Sequence, residues 1–373
     1  MSLVSSLFRS NTFYLLALVS WLVGFSVHLV KFLKVGEAPF LNYKITQYYV
    51  SFWDYDFVRR GLVGSVFYPM FSTFENSYMV SRLLVISLDL AVFLLFVHLL
   101  HQKLSRIQDQ NIELLLRVIL IASPLGFVQW SFDIGRYDHI AIVLVYIACS
   151  MLVKSRPLMA AIFLTFAVLT HEASALYGVS IIFVFQMWRF NSRMSPMILL
   201  ELLKVLLLPS ITFLLTVVFG NIEKSEQLAY LRQTFERGGW EAWERGWLEP
   251  ALHLSTIQYL LNVLYILATI IVFYPVFRRK VKAWMLLIAF IPFLLLFAAG
   301  LDYPRWIHLF MMSCIILLLF LPETEVSSVI KLSKMRYGTF AKVFVIIPLG
   351  PIGITYILPY VQFFVNRILA VSF

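Results

Sequence analysis

Apolar residues run through this chain in blocks and not in alternation. Stretches of about 15 to 25 apolar residues recur from end to end, and about 20 carry a helix across a hydrocarbon core roughly 30 Å thick. Spans read this way fall near residues 13–33, 79–101, 113–130, 139–153, 158–170, 173–188, 197–219, 256–277, 283–300, 307–322 and 343–362. The expected fold is all-α, a single integral membrane domain over residues 1–373 with about eleven transmembrane helices. The first run lies where a signal peptide would, but it is long, has no small-residue cleavage site behind it and carries His28 and Lys31 at its far end. It is read as a helix. Pro348, Gly350, Pro351, Gly353 and Pro359 interrupt the last run. They leave open a re-entrant pair, and with it the side on which the C-terminus lies.

Composition agrees, with 61% of residues apolar and 13% charged against roughly 25% charged in a soluble domain. The net charge of +10 has no extramembrane basic domain to carry it, which argues against a nucleic-acid partner. Positive loops are instead what membrane insertion demands. With the N-terminus cytoplasmic, the inner loops and adjoining span ends hold 17 of the 30 Lys and Arg and 5 of the 20 acids. The outer side then holds 13 basic and 14 acidic residues, with Asp89 left mid-helix. Cys149 and Cys314 both fall inside apolar runs, where free cysteine behaves as a small hydrophobe. The outer loops 34–78 and 220–254 are expected to carry short interfacial helices, the second with tryptophans at headgroup level.

Four polar clusters reach the outer side on this topology. They are Trp53 to Gly61, with Asp54, Asp56, Arg59 and Arg60; Asp133 to His139, with Arg136 and Asp138; His171-Glu172; and Asp302 to Trp306, with Arg305. The runs flanking His171-Glu172 are short. A 13-residue helix rises only about 20 Å, so this turn is expected below the outer surface, where ionisable groups must pair, line a cavity or act on a substrate. Arginine's planar fork suits phosphate oxygens, which makes Arg59, Arg60, Arg136 and Arg305 candidate phosphate clamps, with His139, His171 and Asp302 as further substrate contacts. Asp54, Asp56, Asp138 and Glu172 are the candidate catalytic carboxylates. Some of them could hold magnesium or manganese through oxygen ligands, but no spacing specifies a metal.

Plainer roles are open to the same residues. Asp54 and Asp56 could cap a loop helix, Arg59 and Arg60 could snorkel to headgroups, and His171-Glu172 could orient two short helices. Arg136 with Asp138, and Asp302 with Arg305, could be ion pairs that fix their loops. Asp89, His98 and His308 read as helix-to-helix hydrogen bonds.

The layout resembles the GT-C superfamily of integral membrane glycosyltransferases, with Trp53-Asp54-Tyr55-Asp56 as the motif that carries the resemblance. It implies a polyprenyl-phosphate-linked sugar donor, a glycan or lipid acceptor, and Asp54 or Asp56 as the catalytic base in the first outer loop. It also implies that acceptor recognition falls to loops such as 220–254. O-antigen-polymerase-like proteins are similar in layout too, and Arg232, Arg237 and Arg245 would suit them. A transporter or flippase of an anionic solute or lipid is the third reading, weakened by the lack of an internal repeat and by charges biased to one face. The compact size points to a bacterial inner membrane; in a eukaryote the same face would line the endoplasmic reticulum.

Overall fold

The computed structural model describes residues 10–35, 41–73, 78–191, 193, 195–222, 256–278, 280–299, 302–321, 345 and 350–352. Among them every regular element is helical. A long first helix, α1 (Ser10–Val35), leads into a loop folded as α2 (Asn42–Thr46), α3 (Phe52–Tyr55) and α4 (Gly61–Thr73). The core follows as α5 (Tyr78–Leu104), α6 (Gln110–Ala122), α7 (Phe127–Phe132), α8 (Asp138–Val153), α9 (Pro157–Thr170), α10 (Ser174–Arg189) and α11 (Pro196–Phe219). The last described helices are α12 (Thr256–Phe277), α13 (Ala283–Ala299) and α14 (Tyr303–Leu319).

Four stretches are long and apolar enough to cross a membrane: Asn11–Leu33, Met79–Leu104, Ile112–Phe132 and Pro196–Phe219. Five more, from Asp138–Val153 to Tyr303–Leu319, are apolar but shorter. The expected short helices of loop 34–78 are present as α2 to α4. The span expected at 343–362 and the surface helix expected in 220–254 lie almost wholly outside the described residues.

The run expected as one span at 113–130 is the membrane-length stretch Ile112–Phe132, built of two helices, α6 and α7. Pro124 brings no N–H, and Ser123 turns the chain, its hydroxyl accepting from Leu125 N at 3.2 Å. Gly126 then passes so close to the end of α6 that a Cβ would stand 2.3 Å from the Leu120 carbonyl oxygen. The Leu125 carbonyl, left outside either helical ladder, accepts from His308 Nδ1 at 2.5 Å.

Packing sorts the helices by depth. Helix α11 turns Leu199, Leu200, Leu203, Leu207, Ile211 and Leu214 outward at helical spacing, an apolar stripe suited to lipid. Helix α14 is buried at every position except Phe310, as expected of a helix apolar all round. It lies against α8, α10, α12 and α13. Lys103, at the end of α5, stands 4.5 Å over the Phe320 ring that follows α14. Lys280, between α12 and α13, lies 5.7 Å from the ring of Trp188 at the end of α10. The lysine-bearing turns thus gather at one end of the bundle. The starts of α8, α10 and α14 lie at the other.

Candidate functional site

Three apolar helices begin at that second end, and each opens with an ionisable residue or follows one directly: Asp138 on α8, His171-Glu172 before α10, and Asp302 and Arg305 around the start of α14. With 14 to 17 residues each, α8, α9, α10 and α14 rise only about 21 to 26 Å at 1.5 Å per residue. That is less than a hydrocarbon core of roughly 30 Å.

Arg60 reaches in from the first loop. Its Nε donates to Glu172 Oε1 and Oε2 at 3.1 and 2.9 Å, and its Nη2 donates to Oε1 at 2.6 Å. Arg60 has a φ of 63°, a left-handed conformation uncommon outside glycine. Burial alone would raise the Glu172 carboxyl, but Arg60 and then His171 outweigh it and hold it below the usual carboxylate range. This pair is ionised and closed.

Asp138 is held differently. Arg305 Nε lies 3.4 Å from its Oδ2 and His171 Nδ1 lies 3.7 Å from its Oδ1, both beyond good hydrogen-bond geometry. The two carboxylate oxygens are buried without a hydrogen-bond donor among the described residues. His171 explains part of this. Its Nδ1 accepts from the Ala173 N–H at 3.1 Å, which assigns the ring proton to Nε2 and leaves nothing on Nδ1 to donate. Burial pushes this imidazole down to about 4, against the pull of Asp138, so it is neutral at pH 7. Its Nε2–H is buried without a partner among the described residues. Tyr177, on the first turn of α10, interacts electrostatically with both Asp138 and Arg305, and its buried hydroxyl also lacks a hydrogen bond among the described residues.

Arg305 also reaches Asp302, with Nη1 2.9 Å from Oδ2, and Arg136 Nη2 approaches the same oxygen at 3.5 Å. The ion pairs that sequence neighbours would have made are therefore partly exchanged. Arg136 pairs with Asp302 of another loop, and Asp138 sits beside Arg305.

The loop carrying Arg136 and Asp138 is pinned from behind by α5. Asp89 Oδ1 accepts from Gly135 N at 3.2 Å and from His139 Nδ1 at 2.6 Å. The His139 ring stacks on Trp130 with centroids 4.3 Å apart. Lys44, on α2, donates to the Phe132 carbonyl at 3.1 Å. Burial lowers its ammonium to about 7, with Asp133 pulling the other way and Arg136 adding to the fall. Neither Lys44 nor Tyr177 stands out in the sequence, where each is one residue among polar or aromatic neighbours.

Three other expected site residues lie apart from Asp138. Asp54 is exposed, and its Oδ2 accepts from Ser51 Oγ at 2.8 Å within the first turn of α3. Asp56 is exposed just beyond that helix with φ 56°. Arg59 is buried, and its backbone N–H donates to the Gly220 carbonyl at 2.9 Å. All four clusters nonetheless meet, the first through Arg60. Of the candidate lone histidines, His98 bonds to Tyr14 of α1 at 2.9 Å.

Asp138, Asp302 and Glu172 each face a guanidinium. Among the described residues no three His, Cys, Asp or Glu side chains gather to hold a metal ion. Comparison of the chain with protein-family models, curated proteins and solved structures gives no match.

Proposed function

We propose that this protein is a membrane glycosyltransferase that moves a sugar or glycan from a polyprenyl-phosphate or pyrophosphate donor to a glycan or lipid acceptor, at the outer face, for cell-surface polysaccharide or glycolipid synthesis. The observation that carries this reading is the Asp138 carboxylate, buried, without a hydrogen-bond donor among the described residues, and placed beside Arg305. A buried carboxylate in that condition costs free energy, and an acceptor hydroxyl would supply the missing donor. In the reaction that hydroxyl oxygen bonds to the anomeric carbon, the bond from that carbon to the phosphate oxygen breaks, and Asp138 takes the hydroxyl proton. Arg305 and Arg136 stabilise the charge on the departing phosphate. The His171 Nε2–H is a further donor for a sugar or acceptor oxygen. This assigns the base to Asp138, with Asp54 and Asp56 as loop residues and Arg60 with Glu172 as a positioning clamp.

The test incubates purified protein with polyprenyl-phosphate sugars and membrane lipid extract, and follows release of lipid phosphate. Release by the parent that is lost in folded Asp138→Asn and kept in Asp54→Asn supports the assignment. Loss in Asp54→Asn with retention in Asp138→Asn returns the base to the first loop. A second reading is proton-coupled transport of an anion, favoured by how deeply Asp138 and His171 are buried, since buried ionisable groups in membranes also form proton relays. Counterflow of a labelled anion without donor consumption would select it.

A further inference from the structure

Two arginines from separate loops converge on one carboxylate oxygen, Asp302 Oδ2, at 2.9 Å from Arg305 and 3.5 Å from Arg136. Such convergence on a single oxygen is how guanidinium groups hold a phosphoryl oxygen. We infer that Arg136 and Arg305 form a phosphate seat which Asp302 occupies in the free protein, and that an incoming phosphate enters by displacing the Asp302 carboxylate. Three observations support it. Arg305 Nη1 meets Asp302 by distance, but its geometry is not that of a hydrogen bond, so this buried N–H is not spent on Asp302. Asp302 is the most exposed of the three, its side chain 21% accessible against 12% for Arg136 and 8% for Arg305, so it closes the seat from the side that faces out. The opposite edge of Arg305, at Nε, faces Asp138, so a phosphate in the seat lies one guanidinium away from the buried carboxylate.

The contrast with Arg60 is instructive. Arg60 spends both Nε and Nη2 on Glu172 in a two-point pair, whereas Arg305 and Arg136 each meet Asp302 through a single nitrogen, at 2.9 and 3.5 Å. A phosphate carries more charge and more acceptor oxygens than a carboxylate, so it gains more from two arginines than Asp302 does. The carboxylate keeps the cations compensated while the seat is empty and repels anions that bind less strongly. A lipid phosphate headgroup and free phosphate share the chemistry. That the natural occupant is a lipid phosphate rests on the proposed function.

The experiment measures binding of inorganic phosphate, and separately of polyprenyl monophosphate, to the full-length protein in detergent. The parent is compared with Asp302→Asn and Arg136→Gln. Removing the competing charge in Asp302→Asn is expected to tighten phosphate binding about tenfold, the scale of a neighbouring like charge at partly buried sites; Arg136→Gln weakens it. Equal or weaker binding by Asp302→Asn overturns the displacement. Should that variant fail to fold, carbodiimide labelling of the parent decides. Phosphate is expected to raise labelling of Asp302 as its carboxylate is released, and unchanged or lowered labelling overturns the inference. Polyprenyl phosphate binding well above inorganic phosphate identifies the lipid as the source; equal binding identifies free phosphate. Because binding is read separately from the release assay, tightened phosphate binding here with no sugar release there keeps the seat and rejects the transferase.

Discussion

Arg60 closes both Nε and Nη2 on the carboxylate of Glu172, 112 residues further along the chain. The first loop is thereby fastened to the turn between α9 and α10 by a largely buried guanidinium and a fully buried carboxylate. Breaking such a pair costs far more than replacing it, because the survivor is left as an uncompensated buried charge. Glu172→Gln is expected to cost about 3–5 kcal/mol, whereas Arg60→Met with Glu172→Leu recovers most of that loss. Thermal unfolding in detergent of the two single variants and the double variant checks the order. A double variant less stable than either single one would sink the account.

His171 predicts an acid limit to stability. Its imidazole is held neutral down to about 4 in the fold, whereas an unfolded histidine takes up its proton near pH 6.5. Between these values the unfolded state binds more protons than the folded state, so stability falls as pH drops from 6.5 toward 4 and is unaffected by this group above 6.5. Melting temperatures across that window should decline for the parent and decline less steeply for His171→Gln. Parallel slopes would exclude His171 as the source.

Gly135 is expected to resist substitution for two separable reasons. Its φ of +80° disfavours an L side chain, and a Cβ there would stand 2.7 Å from Val85 Cγ1. Gly135→Ala should destabilise by about 1–3 kcal/mol. Adding Val85→Ala relieves the contact and not the backbone, so denaturation midpoints should show partial rescue at most.

Asp54 is expected to be nearly silent. It is exposed, and its carboxylate accepts from Ser51 Oγ at 2.8 Å and from the Tyr68 hydroxyl of α4 at 3.3 Å. Asp54→Ala should shift stability by roughly 0.5–1 kcal/mol. If the proposed chemistry holds, sugar release stays within about twofold of the parent; abolished release would restore Asp54 as the base.

Much of this was legible in the chain. Long apolar blocks gave helices near their expected limits because hydrophobic length is a coarse quantity that a few polar residues do not disturb. The meeting of the four polar clusters followed from topology: each lies at the same end of its helices. Pairing was not legible. Which arginine holds which acid depends on side-chain reach across helices, so Arg136 met Asp302 and not Asp138, two residues away. The Asp89–His139 bond was hidden for the same reason: helix-to-helix bonding was expected of Asp89, but its partner stands 50 residues away in the chain, and His139 was expected at the substrate. The break at Ser123–Gly126 carried its signal openly in Ser-Pro-Leu-Gly, but the apolar run around it outweighed the punctuation. Asp54 and Asp56 drew attention by concentration of charge, a signal that exposed turns produce as readily as sites do.

The buried helix α14 bears on how the protein is made. Its contacts reach back to α8 and α10, more than a hundred residues earlier, so the centre of the bundle is supplied late in synthesis. Until Tyr303 to Leu319 has been made, α8 and α10 already have α9 and each other to pack on, but the helix that fills the space between them is missing and Asp138 has no Arg305 beside it.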